Sequence, residues 1–165
     1  TGRNIEAETA VELARIDGVI GLKEASLDFQ QIHEIGRRLQ EEGIEDFELG
    51  SGDDAANHFV FEQGGSFGIS VTANIHPEGC VEVWRQGYIN QDEQTAFETN
   101  RELRDLHNAM FQPGEKNPIS VQYALNLLGF DFGTPRMPLD RKPRQDDEYQ
   151  NQQELKTVLE DHDLI

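Results

Sequence analysis

The spacing of apolar residues divides the chain into short continuous runs and longer stretches with an apolar position every three or four residues. Short runs predict buried strands, and the longer periodic stretches predict amphipathic helices. The predicted strands are 18–25, 47–54 and 66–74. The predicted helices are 7–15, 28–43, 55–65, 78–111 (with a break near 87–93), 118–129 and 146–161, and a proline-rich crossing covers 133–144.

Strands and helices alternate in this prediction, which indicates βαβ units and a parallel sheet. Three strands are too few for a complete sheet that is covered on both faces, whereas a (β/α)8 barrel, or TIM barrel, needs eight strands and about 250 residues. We therefore expect an α/β fold that is the C-terminal part of a TIM barrel, with about its last three strands and their helices. Residues 1–112 form this half-barrel in the prediction, and residues 113–165 form a C-terminal helical extension.

The formal net charge of −18 changes the expected surroundings of the protein. Acidic residues are scattered among periodic apolar positions, which argues against a disordered acidic chain. Such a surface repels phosphate backbones, so we expect no nucleic-acid partner. At molar salt the Debye length is about 3 Å, which would make the charge tolerable, and we predict a halophilic source. A single cysteine, Cys80, and the lack of a membrane-length apolar run predict a cytoplasmic protein without a membrane partner.

A lysine at the end of the first predicted strand is the main candidate for chemistry. Alternation along "GVIGLKEAS" places Ile20, Leu22 and Glu24 on one side and Val19, Gly21 and Lys23 on the other. If Ile20 and Leu22 pack against the outer helices, Lys23 faces the barrel interior at the carboxyl end of its strand, where enzymes of this architecture carry their active site.

The proposed use of Lys23 is nucleophilic. A solvated lysine ammonium, with a pKa of about 10.4, does not attack carbonyl groups at neutral pH. Removal from water favours the neutral amine, which forms a Schiff base, and the iminium then stabilises a neighbouring carbanion. The residues alone leave an alternative open, in which Lys23 reaches solvent or pairs with Glu24.

Four motifs in this order resemble the dihydrodipicolinate synthase / N-acetylneuraminate lyase family over essentially the whole chain: "GVIGLKEAS", "GSGDDA", "GGSFGISVTAN" and "NPISVQYALNLLG". The resemblance implies that Lys23 forms a Schiff base with pyruvate and that Ile69 contacts the bound pyruvate. It further implies that Gly52, Asp53 and Asn117 lie near the path of the second substrate. Gln122 stands where the more usual motif has a basic residue.

Within this family the motifs are most similar to members that condense pyruvate with L-aspartate 4-semialdehyde in lysine and diaminopimelate synthesis. The resemblance thus implies a class I lyase with pyruvate and an aldehyde as substrates, no metal or other cofactor, and a homo-oligomer (dimer or tetramer). Two alternatives remain at this point: a 2-keto-3-deoxy sugar-acid aldolase of the same family, and a non-catalytic half-barrel fragment.

Several family features lie outside the 165 residues. These are the Tyr-Asn-x-Pro-x-Arg segment that precedes the Thr-Gly pair, the proton-relay tyrosine, the loop that binds the pyruvate carboxylate and the site of feedback inhibition by lysine. We therefore expect a fragment that holds the nucleophile without its acid–base partners. A metal site at Asp54 and His58, four residues apart, is disfavoured because no third ligand has suitable spacing.

Overall fold

The computed structural model describes residues 3–112, 116–139 and 145–165, with only the backbone for 145–150. The chain divides into two compact units, which are described separately. The first consists of Thr1–Ser70 and Val81–Arg101, and the second of Val71–Cys80 and Glu102–Ile165. The predicted division into 1–112 and 113–165 stays a prediction.

The first unit alternates helices and strands along most of its length. Its elements are α1 (Ala7–Ala14), β1 (Gly21–Glu24), α2 (Phe29–Glu41), β2 (Glu48–Ser51), a 3-10 turn (Asp54–Ala56), α3 (Asn57–Glu62) and β3 (Phe67–Gly68). The later part contains the end of α4 (Pro77–Trp84), a π-helical turn (Arg85–Ile89) and most of α5 (Glu93–Glu102). The break predicted near 87–93 is confirmed, since no helix covers Asn90–Asp92.

The three strands form a parallel sheet in the order β1-β2-β3. Leu22 is paired with Leu49, and both side chains pack on one face against the helices. The buried cluster on this face also contains Phe47 just before β2, Ala56 in the 3-10 turn, and residues from α1, α2 and α3, namely Ala10, Val11, Ile32, Ile35, Leu39 and Val60. Since side chains alternate along a strand, Lys23 and its partner Gly50 lie on the opposite face.

Helix α2 packs on this core, and residues close together in the sequence determine where it begins and which face is buried. The Asp28 carboxylate accepts a hydrogen bond from the Gln31 N–H (3.1 Å), which caps the first turn of the helix. Ile32, Ile35 and Leu39 then recur at helical spacing and are buried. The helix predicted over 28–43 is therefore confirmed with slightly shorter bounds.

Two details of the predicted strands are wrong. The strand predicted over 66–74 is much shorter in the structure: β3 covers only Phe67–Gly68, paired with Gly50 and Ser51, and Thr72–Asn74 forms a 3-10 turn. Ile20 is 75% exposed instead of packed against helices, whereas Val19 packs on the core cluster. Both precede β1, so the strict alternation of the strand does not govern them.

The second unit is built from helices. It contains a 3-10 turn (Thr72–Asn74), the start of α4, and the helices α6 (Arg104–Ala109), α7 (Ile119–Leu127) and α8 (Gln145–Asp161). The buried apolar residues of these helices are Leu106, Ala109, Val121, Ala124, Leu155 and Leu159. Residues 133–139 of the predicted crossing are without regular structure, and 140–144 lie outside the described residues. Among the helices described, none is long and apolar enough for a membrane span.

The acidic surface leads to a prediction about salt. Arg37 and Arg38 neutralise part of it on α2, where their hydrogen bonds lower the pKa of Glu34 to about 2. The net charge of −18 still leaves strong self-repulsion. We expect the melting temperature of the complete gene product that carries these residues to fall as salt is lowered from about 3 M to 0.1 M, because the Debye length grows to about 10 Å.

Scanning calorimetry in NaCl and in KCl measures this effect. Screening depends on ionic strength, so the two salts should produce the same shift. A melting temperature that stays constant or rises on dilution would contradict the halophilic interpretation.

Candidate active site

Lys23 lies at the carboxyl end of β1, one residue before the strand ends. Its side chain is exposed on the face of the sheet that points away from the helix-packed core. The alternative pairing with Glu24 does not form, because the buried Glu24 carboxylate is engaged elsewhere. It accepts hydrogen bonds from the Ser26 N–H (2.6 Å) and from Gln31 Nε2 (2.7 Å). Glu24 therefore anchors the loop after β1 and leaves the Lys23 amine available.

The aliphatic part of the Lys23 side chain, called its stem below, lies over Gly52. The Gly52 N–H donates to the carbonyl oxygen of Glu24 (2.6 Å), which continues the β1–β2 pairing beyond the last strand residue. A β-carbon placed on Gly52 would stand 2.6 Å from Lys23 Cε and 2.7 Å from Ala25 Cβ. Such distances are too short for real atoms, so only glycine allows the lysine stem to pass here. The structure thus brings together two of the residues singled out in the sequence.

Ile69 lies directly after β3, at the same end of the sheet. Its N–H donates to the Ser51 carbonyl oxygen (2.8 Å), so the β2–β3 pairing also continues past the strand. The Ile69 side chain is 52% exposed. Lys23, Gly52 and Ile69 consequently occupy the carboxyl ends of three neighbouring parallel strands, which is the edge where barrel enzymes place their reacting groups.

Asp53 begins the turn that follows β2. Its carboxylate accepts a hydrogen bond from the Ala55 N–H (3.0 Å), and its carbonyl oxygen accepts one from Ser51 Oγ (2.7 Å). Below it, Asn100 on α5 donates through Nδ2 to the Asp54 carbonyl oxygen (3.1 Å). This turn is therefore held by buried polar side chains, whose role was not apparent in the sequence.

Asn117 belongs to the second unit, where it is exposed just before Pro118 and α7. In the same unit, Gln122 on α7 donates through Nε2 to the Phe132 carbonyl oxygen (2.7 Å). The glutamine thus holds the chain that follows α7, which gives it a structural use in place of the more usual basic residue.

The Asp54–His58 pair does not gain a third metal ligand. No group of three or more His, Cys, Asp or Glu residues suited to a metal occurs within the described parts of the chain. His58 packs edge-on against Phe97 (ring centroids 5.0 Å apart), and its burial lowers the pKa of the imidazole. His58 therefore has an aromatic neighbour on α5 and contributes to the packing of the first unit.

The described geometry agrees with comparisons to known proteins. The model of the dihydrodipicolinate synthetase family matches residues 1–161. The chain belongs to this family. A 4-hydroxy-tetrahydrodipicolinate synthase from Thermoanaerobacter sp. (strain X514) is 39% identical over 166 residues, which cover all of this chain and 52% of that relative.

Solved structures of the family also resemble the chain. Dihydrodipicolinate synthase from Thermotoga maritima has a TM-score of 0.87 at 34% identity, and the match covers 100% of this chain and 53% of that one. The chloride-inhibited enzyme from Acinetobacter baumannii, solved in complex with pyruvate, has a TM-score of 0.83 at 34% identity with the same coverage. The chain spans about half the length of the relatives it matches, and the match lies in their C-terminal half.

Proposed function

We propose that this chain supplies the Schiff-base lysine of a class I lyase that condenses pyruvate with L-aspartate 4-semialdehyde to 4-hydroxy-tetrahydrodipicolinate. The observation that carries the proposal is the Lys23 amine at the carboxyl edge of a parallel sheet, with its stem against Gly52. The names of the relatives support this reaction over the sugar-acid aldolase alternative. The half-barrel origin, the homo-oligomer and the cytoplasmic location stay predictions.

The reaction that we propose begins with attack of the neutral Lys23 amine on the C2 carbonyl of pyruvate. A new C–N bond forms and the carbonyl oxygen leaves as water, which gives an iminium. Loss of a proton from C3 then gives an enamine, since the iminium accepts the electron pair. The enamine carbon adds to the aldehyde of the second substrate, whose amino group closes the ring at C2 and displaces Lys23.

Each of the other site residues has a proposed role beside this lysine. Gly52 leaves space for the stem of Lys23, and Ile69 presents an exposed apolar side chain at the carboxyl end of β3. Asp53 and Asn117 are proposed near the path of the second substrate, on the strength of the family resemblance. The acid–base groups of the reaction are expected from polypeptide outside these 165 residues.

The choice of aldehyde tests the proposal directly. The complete gene product should turn over pyruvate with L-aspartate 4-semialdehyde at a kcat/KM at least about tenfold above the value with glyceraldehyde, because a site built for an amino-acid aldehyde uses its polar contacts for discrimination. Coupled spectrophotometric assays with each aldehyde measure the two values. A preference for glyceraldehyde would favour the sugar-acid aldolase instead.

Gly52→Ala gives a second prediction. The added methyl group overlaps Lys23 Cε and Ala25 Cβ, so the lysine stem must move. We expect borohydride trapping of the pyruvate imine to slow by about tenfold or more, since displacement of a reacting atom by about 1 Å costs up to a hundredfold.

Gly79→Ala is the matched control for Gly52→Ala. A β-carbon at Gly79, within helix α4, meets no described atom closer than 3.1 Å, and Gly79 is not among the proposed site residues. Its trapping rate should equal that of the wild type. Equal rates for Gly52→Ala and the wild type would contradict the role given to Gly52.

A further inference from the structure

One row of residues crosses the sheet below the proposed reaction site. Lys23 on β1 is paired with Gly50 on β2, and Gly50 is paired with Phe67 on β3. Residues paired in a parallel sheet have side chains on the same face. The Lys23 stem and the Phe67 ring therefore lie on one face, separated by a residue that has no side chain.

The Phe67 ring fills the space above Gly50. A β-carbon on Gly50 would lie 2.6 Å from Phe67 Cε1 and would overlap Cζ and Cε2. The nearest atoms belong to the far end of the ring, so the ring extends from β3 across β2, in the direction of β1. The chain thus places a large aromatic side chain in the volume that a residue at position 50 would otherwise occupy.

The Lys23 stem covers the next glycine on the same side of β2. Its Cγ and Cε lie 2.9 and 2.6 Å from the position of a β-carbon on Gly52. Two glycines, two residues apart, are therefore each covered by a side chain from a neighbouring strand. Phe67 covers Gly50 from one side, and Lys23 covers Gly52 from the other.

We infer that Phe67 is a positioning residue for Lys23, an inference that rests on the proposed function. With the volume above Gly50 filled, the flexible lysine stem is kept over Gly52, and its amine is held toward the carboxyl edge of the sheet. With that volume empty, the stem can fold back over Gly50, which withdraws the amine from the carbonyl carbon it attacks.

Phe67→Ala in the complete gene product tests this inference. We expect the single-turnover rate of imine formation with pyruvate, measured by quenching with borohydride, to fall about tenfold to a hundredfold. The control is Phe61→Ala, which removes another aromatic ring, packed on Trp84 at 4.2 Å between centroids. At a temperature where circular dichroism shows all variants folded, Phe61→Ala should form the imine at the wild-type rate.

Rescue distinguishes positioning from general packing. The double variant Gly50→Leu/Phe67→Gly fills the same volume from β2, and we expect its rate to return to within about threefold of the wild type. If Phe67→Ala does not fold, this double variant alone decides: a near wild-type rate supports the inference and a slow rate overturns it. A wild-type rate for Phe67→Ala, or equal slowing in Phe61→Ala, also overturns it.

The proposed function is tested separately by the wild-type protein. A wild-type protein that forms no reducible adduct with pyruvate refutes the Schiff-base reaction itself, and with it the inference. A wild-type adduct on Lys23, together with an unchanged rate in Phe67→Ala, refutes only the role of Phe67.

Discussion

Replacing Lys23 by arginine is expected to abolish the pyruvate adduct and to lower kcat by about a thousandfold or more, as is usual when an enzyme loses its nucleophile. Arginine keeps the positive charge and a long stem. Its guanidinium stays protonated at any pH at which the enzyme would be assayed and cannot form the imine. The loss would therefore report on nucleophilic chemistry and not on the charge at this strand end. The measurement is borohydride reduction with pyruvate, followed by mass spectrometry of the peptides.

The other lysines of the chain provide the control for this experiment. Lys156 is half-exposed on α8 and lies 3.6 Å from Glu160, and Lys116 is exposed. Arginine at either position should leave adduct formation and kcat unchanged. An adduct on Lys116, Lys142 or Lys156, or one that persists in Lys23→Arg, would refute the enzyme proposal.

Expression of residues 1–165 alone is expected to give an aggregated or molten protein without measurable condensation activity. Its parallel sheet leaves the outer edges of β1 and β3 unpaired within the described residues, whereas a closed barrel removes such edges. Ile20 and Ile69 are 75% and 52% exposed. The face that carries Lys23 would be open to water in the isolated chain, where the Lys23 side chain is exposed.

Elution volume, near-ultraviolet circular dichroism and product assay together test this expectation. The complete gene product, prepared in the same buffer at the same salt concentration, is the positive control. A second arm adds the N-terminal half of the Thermoanaerobacter relative in trans, which should restore some pyruvate trapping if the two halves close a barrel. A monodisperse, tightly packed and active 165-residue protein would show that the half-barrel interpretation is wrong.

Local patterns were sufficient to predict most elements of the chain. The helix over 28–43 could be predicted because Asp28 caps it and because its apolar residues recur at helical spacing, both of which are properties of neighbouring residues. The position of Lys23 at a strand end followed from the apolar run before it. These features depend on interactions within a few residues, so the sequence carries them directly.

The short β3 and the exposure of Ile20 could not be predicted in this way. Whether a residue joins a strand depends on how the chain lies against the adjacent strand, and β3 is paired with β2 only at Gly50 and Ser51 before the chain turns at Thr72–Asn74. A burial pattern likewise depends on which helices cover a face. The apolar residues of this segment are compatible with a longer strand, so the length of β3 was determined only in the assembled sheet.

The sequence by itself determined the order of strands and helices, the strand-end lysine and the motifs that identify the family, because each resides in contiguous residues. The tertiary structure decided which side chains surround that lysine. Glu24 binds Gln31 and not Lys23, Gly52 lies under the lysine stem, and Phe67 fills the space above Gly50. These contacts join residues on different elements, and they exist only once the register of the three strands brings the side chains to one face.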